Sequence, residues 1–114
     1  MTRTRASAKA AGAHPALLWK EAALQNAVVG LARALGWRHY HTHRSDRSPA
    51  GFPDLVLVHA GRGRVLYREL KTEKGRLSTA QTEWLDDLTA AGQDAGVWRP
   101  RHWITGAIEK ELRT

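Results

Sequence analysis

Apolar residues recur at the spacing of an α-helix early in the chain. The positions that share one face of this helix are Leu17, Leu24, Val28, Leu31 and Leu35. Pro15 suits the first turn of a helix and Gly36 suits its end, so the pattern predicts one helix over residues 15–35. At about 100° per residue, Glu21 falls within the apolar face. A carboxylate is therefore predicted on the side of the helix that faces the core.

Three segments with the patterns of β-strands follow this helix. Residues 37–43 form the first predicted strand, and the polar residues 44–50 are predicted to form a loop. Residues 55–58 are an unbroken apolar run, which is typical of a strand that is covered on both faces and lies inside its sheet. Residues 65–71 alternate in polarity instead, which predicts a strand with two different faces.

The alternating strand places polar groups among apolar ones. Its predicted faces are Val65, Tyr67, Glu69 and Lys71 on one side, and Leu66, Arg68 and Leu70 on the other. A two-residue type II′ turn at Gly61 and Arg62 would pair Asp54 with Glu69. Because residues directly opposite each other in an antiparallel pair point to the same face, Asp54, Glu69 and Lys71 are predicted to lie together.

The second half of the chain predicts a helix, a strand and a final helix. Ser78 and Gln81 have the spacing of a capping box, and Gly92 suits the end of the helix that they begin. The inward positions of that helix are Trp84, Leu85, Leu88 and Ala91. Residues 95–98 would form a strand parallel to the one before the helix, and residues 101–112 predict the last helix. We therefore expect an α/β fold of the α+β-like kind, a small mixed β-sheet with flanking helices.

Charge and composition narrow the class of partner. The 114 residues suffice for one domain, predicted over residues 15–114, after a disordered basic arm at residues 1–14. The net charge is +7, and +4 remains without the three cations of the arm, which favours a polyanionic partner. Charge that merely solubilises the arm is the alternative. No apolar run could span a membrane and no cysteine is present, as expected for a soluble cytoplasmic protein.

Three carboxylates are predicted to meet in one region. Glu21 would come from the first helix, Asp54 from the start of the central strand and Glu69 from its neighbour. Oxygen ligands of this kind suit hard divalent cations such as Mg²⁺. Lys71 could orient a water molecule or neutralise charge on a phosphate, and Gln81 could hold either group. The structural alternatives stay open, namely an internal ion pair, a turn residue, a cross-strand charge pair or a helix cap alone.

Basic residues and histidines near these acids are candidate contacts to a phosphate backbone. They are His41, His43, Arg44, Arg47, Lys74 and Arg76. Such residues recognise charge and shape rather than base identity. His41 and His43 could share a ligand, but zinc is disfavoured because no third ligand has suitable spacing. A merely solvated loop is the alternative.

An ordered set of motifs covers most of the predicted domain. EAALQ in the first helix is followed by GFPDLVLV, YRELK, GRLSTAQTEWLDDLTAAG and VWRP, within residues 19–112. In this combination the chain resembles the VRR-NUC (virus-type replication-repair nuclease) family of the PD-(D/E)xK nuclease superfamily. The resemblance implies a restriction-endonuclease-like αβββαβ core with a C-terminal helix.

The resemblance also implies roles for the residues of the predicted cluster. Its catalytic residues would be Glu21, Asp54, Glu69, Lys71 and Gln81. Asp54, Glu69 and the backbone carbonyl of Leu70 would bind Mg²⁺ or Mn²⁺. Glu21 would reach a second ion or act through water, and Lys71 would be the catalytic lysine.

The function implied by the resemblance is cleavage of DNA. Stand-alone members of this kind, which occur in phages and bacteria, resemble Holliday junction resolvases, so a cytoplasmic homodimer acting on branched DNA such as four-way junctions is expected. Trp37, Trp98 or Trp103 could form the shared surface, although each is also a candidate for the core. The alternatives are a non-catalytic basic nucleic-acid-binding module and a protein-interaction scaffold.

Overall fold

The computed structural model describes residues 14–43 and 47–114. The predicted arm over residues 1–14 lies outside this part except for His14, and Arg44 also lies outside it. The helices are α1 (Glu21–Ala34), α2 (Thr79–Ala90), α3 (Pro100–Ile104) and α4 (Ala107–Arg113). The strands are β1 (Arg38–His41), β2 (Leu55–His59), β3 (Arg64–Leu70) and β4 (Asp94–Trp98). Their order confirms the predicted αβββαβ core and mixed sheet.

The described strands form one sheet in the order β1-β2-β3-β4. β1, β2 and β3 are antiparallel neighbours, whereas β4 returns through α2 and pairs with β3 in parallel. This topology brings the start of β2 and the end of β3 to the same end of the sheet. No described helix is long and apolar enough to cross a membrane.

The two faces of the sheet are covered unequally. One face packs against α1 and α4 in the main core, whose buried side chains include Leu24, Val28, Leu55, Leu57, Leu66, Leu70, Ile108 and Leu112. α2 covers the other face, where Phe52 packs edge-on against Tyr67 and Trp84 at centroid distances of 6.3 and 5.0 Å. Trp37 and Trp98 are buried in the main core, so neither offers a surface for a second subunit.

The first helix is shorter than predicted. Residues 15–35 do not form one helix, because a 3₁₀ turn at Pro15–Leu18 precedes α1 and Trp19 and Lys20 between them have extended backbone. The indole of Trp19 packs against Trp103 at 6.0 Å, a contact between distant parts of the chain. Tertiary packing has therefore overridden the helical pattern.

Two further expectations were wrong in part. β2 is central in its sheet as predicted, but it is not covered on both faces, because Val58 is exposed. An apolar run alone does not show whether both faces of a strand are covered. The single helix expected over residues 101–112 is divided into α3 and α4 by Gly106, whose φ of 82° is left-handed and incompatible with a continuous helix.

The connection between β2 and β3 differs from the predicted type II′ turn. Ala60–Arg62 form a 3₁₀ turn, and Gly63 follows in the left-handed conformation with its N–H donated to the Ala60 carbonyl at 3.1 Å. The loop has four residues, an even number like the two that were predicted, so the strand register is unchanged. His59 therefore pairs with Arg64, and the register continues in the direction that sets Asp54 opposite Glu69.

Candidate metal centre and active site

Three carboxylates converge at the sheet end where β2 begins and β3 ends. One oxygen each from Glu21, Asp54 and Glu69 lies within 4.8 Å of the others. Within residues 14–43 and 47–114, no other group of three or more side chains has the spacing of metal ligands. The convergence expected from the strand register is therefore present in the structure.

Asp54 is held by both neighbouring strands. Its carbonyl oxygen accepts the Thr42 N–H at 2.8 Å, and the hydroxyl of Thr42 donates to the carbonyl of Pro53 at 2.9 Å. Its side-chain Oδ2 accepts the backbone N–H of Leu70 at 2.9 Å. Because both main chain and side chain are fixed, the carboxylate is oriented before any ligand binds.

Glu69 is buried with only 1% of its surface exposed. Its Oε2 accepts a hydrogen bond from the side-chain Nε2 of Gln81 at 2.7 Å and lies 4.0 Å from Lys71 Nζ. Its Oε1 has no hydrogen-bond partner in the described part of the chain. Burial, followed by repulsion from the Asp54 carboxylate, raises the pKa of Glu69 to about 8, although Lys71 acts in the opposite direction.

Gln81 serves the helix cap and the site together. Its side-chain Oε1 accepts the backbone N–H of Ser78 at 2.8 Å, and its backbone N–H donates to Ser78 Oγ at 3.1 Å. These two bonds complete the predicted capping box. Since the amide oxygen faces Ser78, the amide nitrogen is left to donate to Glu69. The helix cap and a contact to Glu69 therefore occur together, and a role for Gln81 in catalysis stays a prediction.

Gly51 fixes the distance between the Asp54 loop and α2, which the sequence pattern did not reveal. Its φ is +95°, and a Cβ atom there would lie 2.4 Å from the carbonyl carbon of Ala80. A side chain at this position is therefore excluded by conformation and by space. The loop that carries Asp54 consequently packs directly on the first turn of the helix that carries Gln81.

Glu21 reaches the cluster differently from the prediction. It is exposed and begins α1, while the buried stripe of that helix starts at Leu24 and continues through Val28 and Ala32. The expectation that Glu21 faces the core is thus wrong. A carboxylate is nevertheless stabilised at the first turn of a helix, and from there Glu21 lies beside the other two acids.

The predicted phosphate contacts lie at the surface near the strand ends. His41 and His43 face each other edge-on with ring centroids 4.7 Å apart, and neither belongs to the metal-ligand group. Arg47, Lys74 and Arg76 are exposed. A role in DNA binding for these residues stays a prediction.

The acidic cluster has the properties of a cation site. Its three candidate side-chain ligands are all carboxylates, the donors preferred by Mg²⁺ and related hard cations. The buried Glu69 Oε1 lacks a donor within the described residues, and crowding with Asp54 disfavours ionisation of Glu69. A divalent cation would satisfy the oxygen and offset that repulsion, so the residues present fit such an ion.

The αβββαβ core with carboxylates gathered at one sheet end defines a nuclease-type domain. The VRR-NUC domain family model matches residues 4–101, and the chain belongs to this family. A solved structure described as "VRR_NUC domain" is similar to the chain, with a TM-score of 0.66 and 23% sequence identity. The match covers 78% of this chain and 94% of that one, and at this identity it shows the shared fold. Comparison with curated proteins found no match.

Proposed function

We propose that the protein is a metal-dependent endonuclease that hydrolyses phosphodiester bonds in DNA and uses Mg²⁺ or Mn²⁺. The observation that carries the proposal is the buried Glu69 carboxylate. One of its oxygens has no partner in the part of the chain that the structure describes, and two further acids and a lysine lie beside it. A purely structural carboxylate at this depth would be expected to have its hydrogen bonds completed by the protein.

Asp54, Glu69 and the carbonyl of Leu70 would hold the ion, and Glu21 would contact a second ion or act through water. When bound, the divalent cation would supply a more acidic water and stabilise negative charge on phosphate oxygens. Gln81 holds Glu69 Oε2, so Oε1, which has no hydrogen-bond partner among the described residues, would be free to bind the ion. The Leu70 N–H similarly fixes Oδ2 of Asp54.

Lys71 would act on the reacting phosphate. Its Nζ is 4.0 Å from Glu69 Oε2, and its side chain is mostly buried. An ammonium group at this position would orient the attacking water and balance the charge that grows on the phosphoryl oxygens. The strand holds it there, because the Lys71 N–H donates to the carbonyl of Trp98 at 3.1 Å.

The net charge of +7 supports DNA as the polyanionic substrate. Contacts to its phosphates are assigned to His41, His43, Arg44, Arg47, Lys74 and Arg76. Selectivity for branched DNA, such as four-way junctions, and a homodimeric assembly are proposed from the family resemblance. A two-fold dimer would present two such sites to the two strands of a junction.

The test is incubation of the protein with Mg²⁺ and labelled linear, flapped, forked and four-way DNA. Wild type should cleave at least one substrate, and Glu69→Gln should bind the same DNA without cleaving it. Glu109→Gln is the matched control, because Glu109 is an exposed acid on α4 whose partner is Arg113. Salt-dependent binding without cleavage at any metal concentration would support the binding-module alternative instead. Absence of salt-dependent binding would favour a scaffold.

A further inference from the structure

The loop that follows Lys71 surrounds the guanidinium group of Arg99. Its Nη1 donates to three backbone carbonyl oxygens, those of Thr72 at 2.8 Å, Glu73 at 3.3 Å and Gly75 at 2.7 Å. Arg99 lies 24 to 27 residues further along the chain than these partners. One cation therefore contacts three carbonyl groups of the same turn.

The turn, residues 72–76, is built tightly around this contact. The N–H of Gly75 donates to the Thr72 carbonyl at 3.3 Å. A Cβ atom at Gly75 would lie 2.7 Å from Thr72 Oγ1 and 3.5 Å from Lys71 Cδ. The turn thus closes against the aliphatic stem of Lys71.

Arg99 is itself held in place by its neighbours. It directly follows β4, and its N–H donates to Nδ1 of His102 at 2.9 Å. The N–H of Arg101 donates to Glu73 Oε1 at 3.1 Å, which ties the turn to the start of α3 by a second route. The position of the turn is therefore set by contacts from the end of β4 and the start of α3 as well as by its own sequence.

Two cations project from the turn. Lys74 and Arg76 are exposed, and neither side chain has a hydrogen bond or ion pair within the described residues. Without the hydrogen bonds from Arg99, the turn would populate more conformations. A turn fixed by Arg99 presents both cations without that loss of entropy on binding.

We propose that Arg99 is a positioning residue that holds residues 72–76, so that Lys74 and Arg76 contact the DNA phosphate backbone next to Lys71. This inference rests on the proposed function, because it assigns part of the DNA-binding surface of the same site. Arg99 acts through the turn and does not touch DNA. Its effect is on substrate affinity, since Lys71 is held separately by β4.

The test compares DNA affinity without metal for Arg99→Gln, Lys74→Ala/Arg76→Ala and all three changes together. Arg99→Gln should raise Kd by about tenfold at about 0.1 M salt. The slope of log Kd against log salt concentration should fall by between about 1 and 2, as expected for losing phosphate contacts. In the Lys74→Ala/Arg76→Ala background, Arg99→Gln should change Kd by less than about twofold. Arg99→Lys should restore binding, because an ammonium group keeps the positive charge and has three N–H donors for the three carbonyls, one more than Nη1 has.

Two further readouts separate positioning from general destabilisation. Amide exchange at Gly75 should accelerate in Arg99→Gln, while single-turnover cleavage at saturating enzyme stays within about threefold of wild type. Arg113→Gln, which removes one exposed charge from α4, should leave Kd unchanged within about twofold.

Each contrary outcome has a distinct meaning. If Arg99→Gln weakens binding equally in the Lys74→Ala/Arg76→Ala background, Arg99 contacts DNA directly and the proposal is overturned. Unchanged Kd and unchanged exchange at Gly75 would overturn it as well. If wild type binds DNA but never cleaves it, the endonuclease proposal fails, whereas the affinity cycle still decides the role of Arg99.

Discussion

Arg68 and Glu69 are adjacent on β3, face opposite sides of the sheet and are both almost fully buried. Both Nη groups of the Arg68 guanidinium are partnered by the protein. It donates to Asp94 Oδ1 at 2.8 Å, to Glu111 Oε1 at 3.1 Å and to two backbone carbonyls, and it lies over the Trp98 ring at 4.9 Å. Glu111 also accepts from Trp98 Nε1 at 2.6 Å. Arg68 and Trp98 therefore both connect α4 to the sheet through Glu111.

Glu69 is buried like Arg68 but differs from it in the partners of its side chain. One oxygen lacks a donor within the described residues, the nearest cation is 4.0 Å away, and another carboxylate lies beside it. Burial of a charge therefore does not distinguish a functional residue from a structural one. The difference lies in whether the protein itself completes the partners of that charge.

The largest expected effect is on cleavage. Glu69→Gln should reduce the cleavage rate by about 10³-fold or more, because a neutral amide is a poor ligand for a divalent cation and cannot replace the carboxylate. The melting temperature of the metal-free variant should be equal to or above that of wild type. A variant that melts far below wild type would show that Glu69 is a structural charge like Arg68.

Arg68→Met should give the reverse pattern. Removing the cation leaves Asp94 with Arg64 at 3.3 Å and Glu111 with Trp98 Nε1 at 2.6 Å as their remaining partners. Because each acid loses its closest cation, the free energy of unfolding should fall by about 3 kcal/mol. This is the low end of the usual range, because both acids are partly exposed and can be hydrated. Cleavage per folded molecule should stay within about threefold of wild type. Urea unfolding with parallel rate measurements checks both values.

Glu69 also predicts a dependence of stability on pH. Its pKa is about 8 in the folded metal-free protein and near 4.5 when unfolded, so the folded state binds the additional proton between these values. The contribution of Glu69 to stability is full below pH 4.5 and is lost as pH rises towards 8. Unfolding free energies of wild type minus those of Glu69→Gln should show this fall, and a flat difference would contradict the raised pKa.

The smallest predicted effect separates the two roles of Gln81. Ser78→Ala and Gln81→Ala should each cost about 1 kcal/mol of stability through the capping box. Only Gln81→Ala also frees Glu69 Oε2, so it should reduce cleavage by an additional factor of about 10. Equal cleavage by the two folded variants would assign Gln81 to the cap alone.

The features that could be predicted from sequence depend on local rules. The convergence of Asp54 with Glu69 required only the parity of the loop, which is even whether the loop has two residues or four. The capping box required only the spacing of Ser78 and Gln81. Neither conclusion depends on parts of the chain that are distant in sequence.

The features that sequence did not reveal depend on long-range packing. The contact of Trp19 with Trp103 accompanies the break before α1, and the close approach of Gly51 to Ala80 sets the position of the Asp54 loop. The three carbonyls that surround Arg99 are 24 to 27 residues away. An arginine in a VWRP motif has no local pattern that indicates such partners.

The central claim is that Asp54, Glu69 and the Leu70 carbonyl hold a divalent cation beside Glu21, and paramagnetic broadening by Mn²⁺ tests it most directly. In ¹H–¹⁵N spectra of wild type, substoichiometric Mn²⁺ should selectively broaden the amide signals of Leu70 and Lys71, whose backbone adjoins the cluster. In Glu69→Gln the same additions should leave those signals sharp. Equal broadening in both proteins, or none in wild type at Mn²⁺ concentrations that support cleavage, would contradict the account.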